Sequence, residues 1–537
     1  MDKGQPQERA LPARLLEISG TKQDKRIRLV ETCDVNRETV KYAALSYCWG
    51  TAGFIKTTED FYCLEHAHQD TCEDLKNIPW SNYLHAIHWS DLPQGFQDAI
   101  ELCWEAEIRY LWIDSLCIVQ GNQQDWNRES ARMKDIYMGA FLTIVLASTK
   151  SPLEGALKAR REFTQPISVP LSRNGTYLGS YLIEPTMYTS DIFEIESPVT
   201  KPWKHANEAI YDSRWRARGW TFQESYLPAR KIYICEGRIH FSCKTHSRLE
   251  GLPGKFPPLD RFADGDEDEH ENQGYLQWYT WVQHYTQREL TEPLDKLPAI
   301  TALASRKGRI SNDRYLAGIW ENDLEAGLLW HRRAFKYGEA SSTAHPLHRS
   351  PVYRAPSWSW SAYDGSVTFL AQYFSFSANS KSEIELLEAS CPRANPDDPY
   401  GRLESLDKTQ VHNGKAYLRL RGKVVSAMVQ KKVRFHSGGR RDFDQDAAAR
   451  SDQTGFQGYS GIDCREEWEY DGWKQAAVLL VCTSQRFGKR LRIGLLLRRV
   501  DSESKETEYE RVGFFYDNED EDNFGFDQQT NQEICLV

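Results

Sequence analysis

Between residues 42 and 147 the chain passes through five segments of alternating hydrophobic period, which constrains its fold more than any other feature. Tyr42-Ala43-Ala44-Leu45-Ser46-Tyr47 is a short, largely apolar run that stops at Cys48-Trp49-Gly50, as a buried strand does on reaching a loop. Pro93 suits the first turn of a helix. Phe96, Ala99, Ile100, Cys103 and Trp104 follow at helical spacing, predicting an amphipathic helix over 93–106. Tyr110-Leu111-Trp112-Ile113-Asp114 is a second apolar run, ending in a carboxylate. Asp125 is placed to cap a second helix running through Tyr137. Phe141–Ala147 is β-branched and apolar, a third buried strand. Strand–helix–strand–helix–strand predicts an α/β domain with a parallel sheet. Ligands of such sheets lie beyond the carboxyl ends of the strands, where Ser46, Trp49 and Asp114 fall.

At 537 residues the chain exceeds a single hydrophobic core, so two or three domains are expected. Ala10–Ile18 and Arg26–Glu31 read as an opening strand pair around Gly20–Asp24. Residues 51–91 lack periodicity and read as an irregular insertion. After a loop-rich stretch, Asp212–Leu227 predicts a helix ended by Pro228, then a hairpin of Lys231–Cys235 and Arg238–Cys243 around Glu236-Gly237. Gly251–Gln273 is rich in Gly, Pro and acidic residues, a linker composition. Helices are expected over Tyr275–Arg288 and Lys296–Ser305. Strands are expected at Tyr417–Val425, Ala476–Cys482, Arg492–Val500 and Tyr509–Tyr516, with Ser437–Ser460 mobile between them. The expected organisation is an α/β domain over 1–250, a linker and helical segment over 251–350, and a β-rich domain over 351–537.

The formal net charge of −10 supplies no global field for nucleic acid. The basic runs Lys489–Arg492 and Arg498-Arg499 are short and interleaved with apolar residues, as on solvated strand faces. The 12 cysteines show no CxxC pair and no zinc spacing. The polar start, Met1–Pro6, is unlike a signal peptide, and no apolar stretch approaches the length of a transmembrane span. Reduced thiols and a cytoplasmic setting are expected.

Four co-linear segments resemble the heterokaryon-incompatibility (HET) domain of fungi. They are Tyr42–Gly50; Leu92-Pro93 with Phe96–Ile100; Tyr110–Ile118 through Gln120, Asp125-Trp126, Met133 and Ile136-Tyr137; and Arg218–Glu224. Further segments look like the usual partner region of such proteins: Asp295-Lys296-Leu297, Gly318-Ile319-Trp320, Leu329-Trp330 and Pro356–Trp360. The resemblance implies an effector of self/non-self recognition and programmed cell death. HET domains in turn resemble TIR domains, some of which cleave NAD. That implies a TIR-like parallel sheet, NAD as substrate rather than a bound cofactor, and Glu224 as the catalytic carboxylate.

Glu224 shares a helix face with Trp220 and Leu227. A fixed carboxylate there stabilises positive charge growing at a ribose or holds the ribose hydroxyls; alternatively it pairs with Arg216, Arg218 or Arg230. Asp114 either bonds a ribose and assists catalysis or caps the loop Ser115–Gln124. Ser46, Tyr47, Trp49 and Gly50, with Trp220, are the candidate substrate-binding residues, through a hydroxyl, close backbone approach and base stacking. Their alternative is a tightly packed turn. Cys117 reads as a buried thiol, no metal site is expected at His240, Cys243 and His246, and Trp358 and Trp360 read as core on one strand face. Two functions remain open: an NAD glycohydrolase switched on by assembly, and a non-enzymatic module that works by self-association or by recruiting a death-signalling partner.

Overall fold

The computed structural model describes residues 11–35, 40–58, 77–79, 86–157, 167–183, 210–235, 238–250, 255–256, 258, 271–332, 347–372, 380–404, 416–431, 447–451, 457–462, 474–486, 489–500, 507–517 and 524–537. The chain divides into two compact units, Met1–Arg261 and Phe262–Val537.

The first unit is built on an eight-stranded mixed sheet. Its strands are β1 (Arg14–Gly20), β2 (Lys25–Glu31), β3 (Tyr42–Ser46), β4 (Tyr110–Trp112), β5 (Leu142–Leu146), β8 (Arg230–Cys235), β9 (Arg238–Cys243) and β10 (Ser247–Leu249). A separate hairpin, β6 (Ile167–Arg173) and β7 (Thr176–Ile183), lies between β5 and β8 in sequence. The sheet order is β10-β9-β8-β5-β3-β4-β1-β2. β8, β5, β3 and β4 run parallel to one another, and antiparallel hairpins flank them on both sides. Among the four parallel strands, the first in the chain, β3, lies between the second and the third. Strand order reverses at β3, and doubly wound sheets bind ligands beyond the carboxyl edge at such a reversal. All five residues of β3 are buried, as expected of a strand covered on both faces.

Helix α1 (Gln94–Glu105) connects β3 to β4, and α2 (Gln123–Gly139) connects β4 to β5. α1 buries Phe96, Ala99, Ile100 and Cys103 of the predicted stripe, with Trp104 half-buried at its edge. The cap of α2 differs from expectation: Asn122 accepts the hydrogen bond from the Asp125 N–H. Asp125 instead takes both terminal nitrogens of Arg14 at 2.9 Å. A buried carboxylate facing a buried guanidinium gains more from a fork-to-fork pair than from one backbone donor.

The expected helix over Asp212–Leu227 is two short ones, Arg214–Ala217 and α3 (Thr221–Tyr226). The Thr221 hydroxyl donates to the carbonyls of Trp215 and Arg218, stapling the break. Within the region expected to be irregular, Lys56–Thr58 pairs in parallel with Asn77–Pro79; residues 59–76 and 80–85 lie outside the described residues. In the loop-rich stretch the β6–β7 hairpin turns at Asn174-Gly175, both with positive φ, the geometry of a two-residue primed turn. Most of Gly251–Gln273 also lies outside the described residues.

In the second unit, α4 (Glu271–Tyr285) and α5 (Thr301–Ser311) supply the expected helices. Trp278, Tyr279, Trp281, Val282 and Tyr285 of α4 are buried. Trp358 and Trp360 are fully buried as expected, but they sit in a turn and a 3-10 helix rather than a strand. Gly318 approaches Trp360 so closely that a Cβ would come 2.7 Å from its Nε1.

The β-rich part contains β11 (Ile384–Ser390), β12 (Tyr417–Lys431), β13 (Ala447–Ser451), β14 (Gln457–Ile462), β15 (Lys474–Arg486), β16 (Lys489–Arg499), β17 (Glu508–Asp517) and β18 (Asn531–Leu536). The pairings β12-β13-β14-β17-β16-β15 return to β12 and close a circuit. Val425, Val429, Val478, Leu480, Leu496, Phe515, Phe524 and Phe526 share its core. β13 and β14 fall where the composition suggested a mobile segment; the small residues Ala447–Ala449 carry little strand propensity and are held by pairing on both sides.

Candidate functional site

The site forms where β3 leaves the sheet. β3 ends at Ser46, and Tyr47, Cys48 and Trp49 continue over the carboxyl edge. Beside it, β4 gives way to a single helical turn, Asp114–Cys117. This places the Asp114 side chain under the loop that follows β3. Its Oδ1 accepts from the Tyr47 hydroxyl (2.8 Å) and the Ser115 N–H (2.7 Å), and its Oδ2 accepts from the Trp49 indole (2.8 Å). Two of these three donors, Tyr47 and Trp49, come from the loop and fix it to the strand end.

Glu224, on α3, meets the same edge from the other side. Its Oε2 accepts from the Ser46 hydroxyl, and Ser46 Oγ in turn accepts from the Trp215 indole at 2.5 Å. Trp215 is held in an apolar cluster with Cys48, Val145, Ala147, Ile210, Tyr233 and Cys235. The Tyr137 hydroxyl from α2 also bonds Glu224 and lies 3.2 Å from the Leu45 carbonyl. Arg218 donates to the Tyr47 carbonyl (2.5 Å) and acts on Glu224 through its charge. The hydrogen-bond partners of Glu224 are therefore hydroxyls rather than an arginine fork.

Burial is the main cause of the electrostatic character. It pushes the Glu224 carboxyl from 4.5 up to about 7, with a further upward push from the charge on Asp114, against the Ser46, Tyr137 and Arg218 contributions. Burial also raises Asp114, opposed by the bonds from Tyr47 and Trp49. The two carboxyl groups are close enough to feel each other, each has its own fixed donors, and both lie in the field of Arg218. Displaced carboxyl affinities of this kind concentrate at functional sites.

The structure thus joins five of the sequence candidates, Ser46, Tyr47, Trp49, Asp114 and Glu224, in adjoining hydrogen-bond networks. Gly50 has φ +70°, and a Cβ there would lie 2.6 Å from Ser151 Cβ and 3.0 Å from the Lys150 carbonyl. Its requirement is met by close packing of chain on chain. Trp220 opens α3 with its ring edge-on to Trp126 of α2 at 6.3 Å. Trp49 remains half-buried, with Phe54 against its edge (5.7 Å) and the Lys56 ammonium over its face (4.6 Å).

Four participants were not among the sequence candidates: Tyr137, Trp215, Arg218 and Lys56. Tyr137 and Arg218 stood within the quoted motifs as an apolar helix position and a structural partner. Trp215 carried the signal of an aromatic just before the Arg-Gly-Trp segment. Lys56 carried none. Cys117 is buried, with its thiol pushed up to about 12, which suits the core reading. Among the described residues no group of three His, Cys, Asp or Glu side chains is arranged to hold a metal ion. Nor is any helix among them long and apolar enough to cross a membrane.

No curated protein and no solved structure matches the chain. A family model does, the one described as heterokaryon incompatibility protein (HET), over residues 42–224. That span opens with β3 and closes on Glu224, so it takes in both carboxylates and every hydroxyl that holds them. Residues 42–224 are thus a heterokaryon-incompatibility (HET) domain.

Proposed function

We propose that this HET domain acts in heterokaryon incompatibility by hydrolysing NAD, and that the loss of NAD kills the cell. The observation that carries the reading is Glu224. It is a carboxylate 7 % exposed beside the strand-order reversal of a mixed sheet, oriented by neutral hydroxyls and flanked by a second carboxylate. The remote resemblance of HET to TIR domains supports the choice of substrate.

In the proposed reaction the bond between ribose C1′ and the nicotinamide nitrogen breaks, and its electron pair leaves with nicotinamide. The positive charge left on the sugar is stabilised by ionised Glu224. Water then adds to C1′ and releases a proton, giving ADP-ribose. Asp114 holds Tyr47 and Trp49 in place, and the half-buried Trp49 ring offers a stacking face. Lys56 and Arg218 bring positive charge suited to a diphosphate. Ser46 is 1 % exposed and acts by fixing Glu224 rather than by touching substrate.

Only the ionised carboxylate stabilises the sugar cation, so the rate is expected to rise as pH increases through about 7, the value burial gives Glu224. The experiment is nicotinamide release from NAD by the purified full-length protein, dilute and concentrated. Glu224→Gln is expected to lower the rate at least roughly 100-fold, the usual effect of losing a transition-state charge partner. Wild-type protein that never consumes NAD in either state refutes the proposal.

One observation favours the alternative, a module that signals by association alone. The Ser46 hydroxyl has both a donor and an acceptor partner inside the protein, as a purely structural residue would. On that reading Glu224→Gln leaves cell killing intact.

A further inference from the structure

Trp49 is anchored by its edge and carries a positive charge on its face. Its indole N–H donates to Asp114 Oδ2 at 2.8 Å, and the Lys56 ammonium lies over the ring, 4.6 Å from its centroid. The neighbouring rings pack on one another instead. Tyr47, Phe54 and Phe96 meet edge-to-face with centroids 5.1–6.2 Å apart, and all three are buried. Of these four rings only Trp49 stays half-buried.

The backbone under Lys56 is held firmly, but its ammonium is not. The Thr57 hydroxyl donates to the Leu116 carbonyl and the Gln120 N–H to the Thr57 carbonyl, both at 2.7 Å. These bonds dock Lys56–Thr58 on the turn that follows Asp114. Among the described residues no oxygen accepts a hydrogen bond from the Lys56 ammonium; it is held by the face of Trp49, the ring of Phe54 at 5.1 Å and the charge on Asp114. Burial lowers its proton affinity, against the pull of Asp114. An ammonium that gives up water without gaining an acceptor is weakly held, and its flexible four-carbon stem lets it leave without moving the strand.

We propose that the face of Trp49 is a cation subsite, filled by Lys56 in the free protein and taken over by the positively charged nicotinamide ring of NAD. The choice of that ring rests on the NAD-hydrolase reading; the subsite itself does not. A flat pyridinium stacks on an indole over its whole area and keeps the attraction of a cation to the ring face. Asp114, bonded at the indole edge, draws either occupant. The displaced Lys56 carries its charge to the diphosphate, where a phosphate oxygen supplies the acceptor it lacks. The subsite distinguishes oxidised from reduced dinucleotide, because the dihydronicotinamide ring is neutral. It also favours product release: once the bond to ribose breaks, nicotinamide is neutral as well, and Lys56 regains the ring.

The probes are methylnicotinamide, the pyridinium cation with a methyl group where NAD has its ribose, and neutral nicotinamide. Each is titrated into the full-length protein by ligand-observed NMR, in the millimolar range expected of fragments this size. The wild type is expected to prefer the cation. Lys56→Met keeps the stem and loses the charge, and is expected to bind the cation about fivefold more tightly, the worth of one exposed cation–π contact. The gain for nicotinamide is expected to be smaller. Lys56→Arg restores a cation that stacks on indole and should return affinity to the wild-type value or below. A wild type with no preference for the cation, or a Lys56→Met protein that binds it no better, overturns the proposal. A protein that shows both effects yet never consumes NAD refutes hydrolysis and leaves the cation subsite standing.

Discussion

Replacing Glu224 by Gln should make the protein more stable at alkaline pH and no more stable at pH 5. In the unfolded chain the carboxyl loses its proton near 4.5; in the fold burial holds it to about 7. Between those values the folded state binds more protons than the unfolded state, so stability falls as pH rises. At about 1.4 kcal/mol for each tenfold change in proton affinity, the ionised side chain costs the fold about 3 kcal/mol above pH 8. Glutamine carries no charge and keeps an oxygen to accept the Ser46 proton, so it removes that cost. Misplacement of its amide near Tyr137 offsets about 1 kcal/mol of the gain, the worth of one hydrogen bond. The net difference, about 2 kcal/mol, corresponds to roughly 4–8 °C for a domain of this size. Paired thermal melts of wild type and variant between pH 5 and pH 8.5 measure it. Other titrating groups, such as Lys296, held down to about 8 by burial, are common to both proteins and cancel in the difference. A melting difference that does not change with pH, or a variant less stable at pH 8.5 than at pH 5 relative to wild type, refutes the reasoning.

Three further outcomes are expected. Arg14→Met breaks the buried pair with Asp125 and should cost about 3–5 kcal/mol by urea denaturation, because a carboxylate is left without its fork; despite burial, the bonds from Arg14 and the Val119 N–H hold Asp125 below its ordinary value, so the loss should shrink on acidification. Gly50→Ala forces a Cβ to within 2.6 Å of Ser151 at a positive φ and should destabilise the protein by about 1–3 kcal/mol, while Gly121→Ala, with nothing within 4 Å, should cost less in the same assay. A chain cut after Arg261, the boundary between the two units, should fold by circular dichroism and, on the proposed function, release nicotinamide from NAD as the full-length protein does; a folded, soluble but inert fragment beside an active full-length protein would place part of the active machinery in the second unit. The cut belongs beyond Phe256, whose backbone pairs with Ser247 at the sheet edge.

The parallel sheet was legible because each central strand announces itself. Tyr42–Tyr47, Tyr110–Asp114 and Phe141–Ala147 are apolar without alternation, which only a strand buried on both faces tolerates. The intervening helices show the complementary period. Errors came where local and distant chemistry compete. Asp125 has the composition of a helix cap, yet a guanidinium 111 residues away in sequence claims it. Asp212–Leu227 has helical spacing, but the chain must turn at Arg218-Gly219 for Trp215 and Glu224 both to reach Ser46. The closed circuit of β12–β17 depends on pairings between strands far apart in the chain, and hydrophobic period fixes which residues face inward but not which strands meet.

The candidate site was legible to the extent that topology dictates it. Ser46, Trp49 and Asp114 follow from the rule that parallel strands present their carboxyl ends to ligands, and Asp114 joins the Tyr47–Trp49 loop as that rule requires. Glu224 lies 178 residues from Ser46, and nothing local announces their contact; only the family resemblance pointed to it. Nor could the sequence say whether Glu224 pairs with an arginine. The answer depends on where Arg218 points, and it points to the Tyr47 carbonyl because the break before α3 turns it over the end of β3. That diversion leaves Glu224 to hydroxyls, and hydroxyls do not neutralise a buried carboxylate. Burial is what raises the proton affinity of Glu224, and Arg218 opposes it through its charge alone, so a change that made residues 212–227 one continuous helix would be expected to move Arg218 and the acidity of Glu224 together.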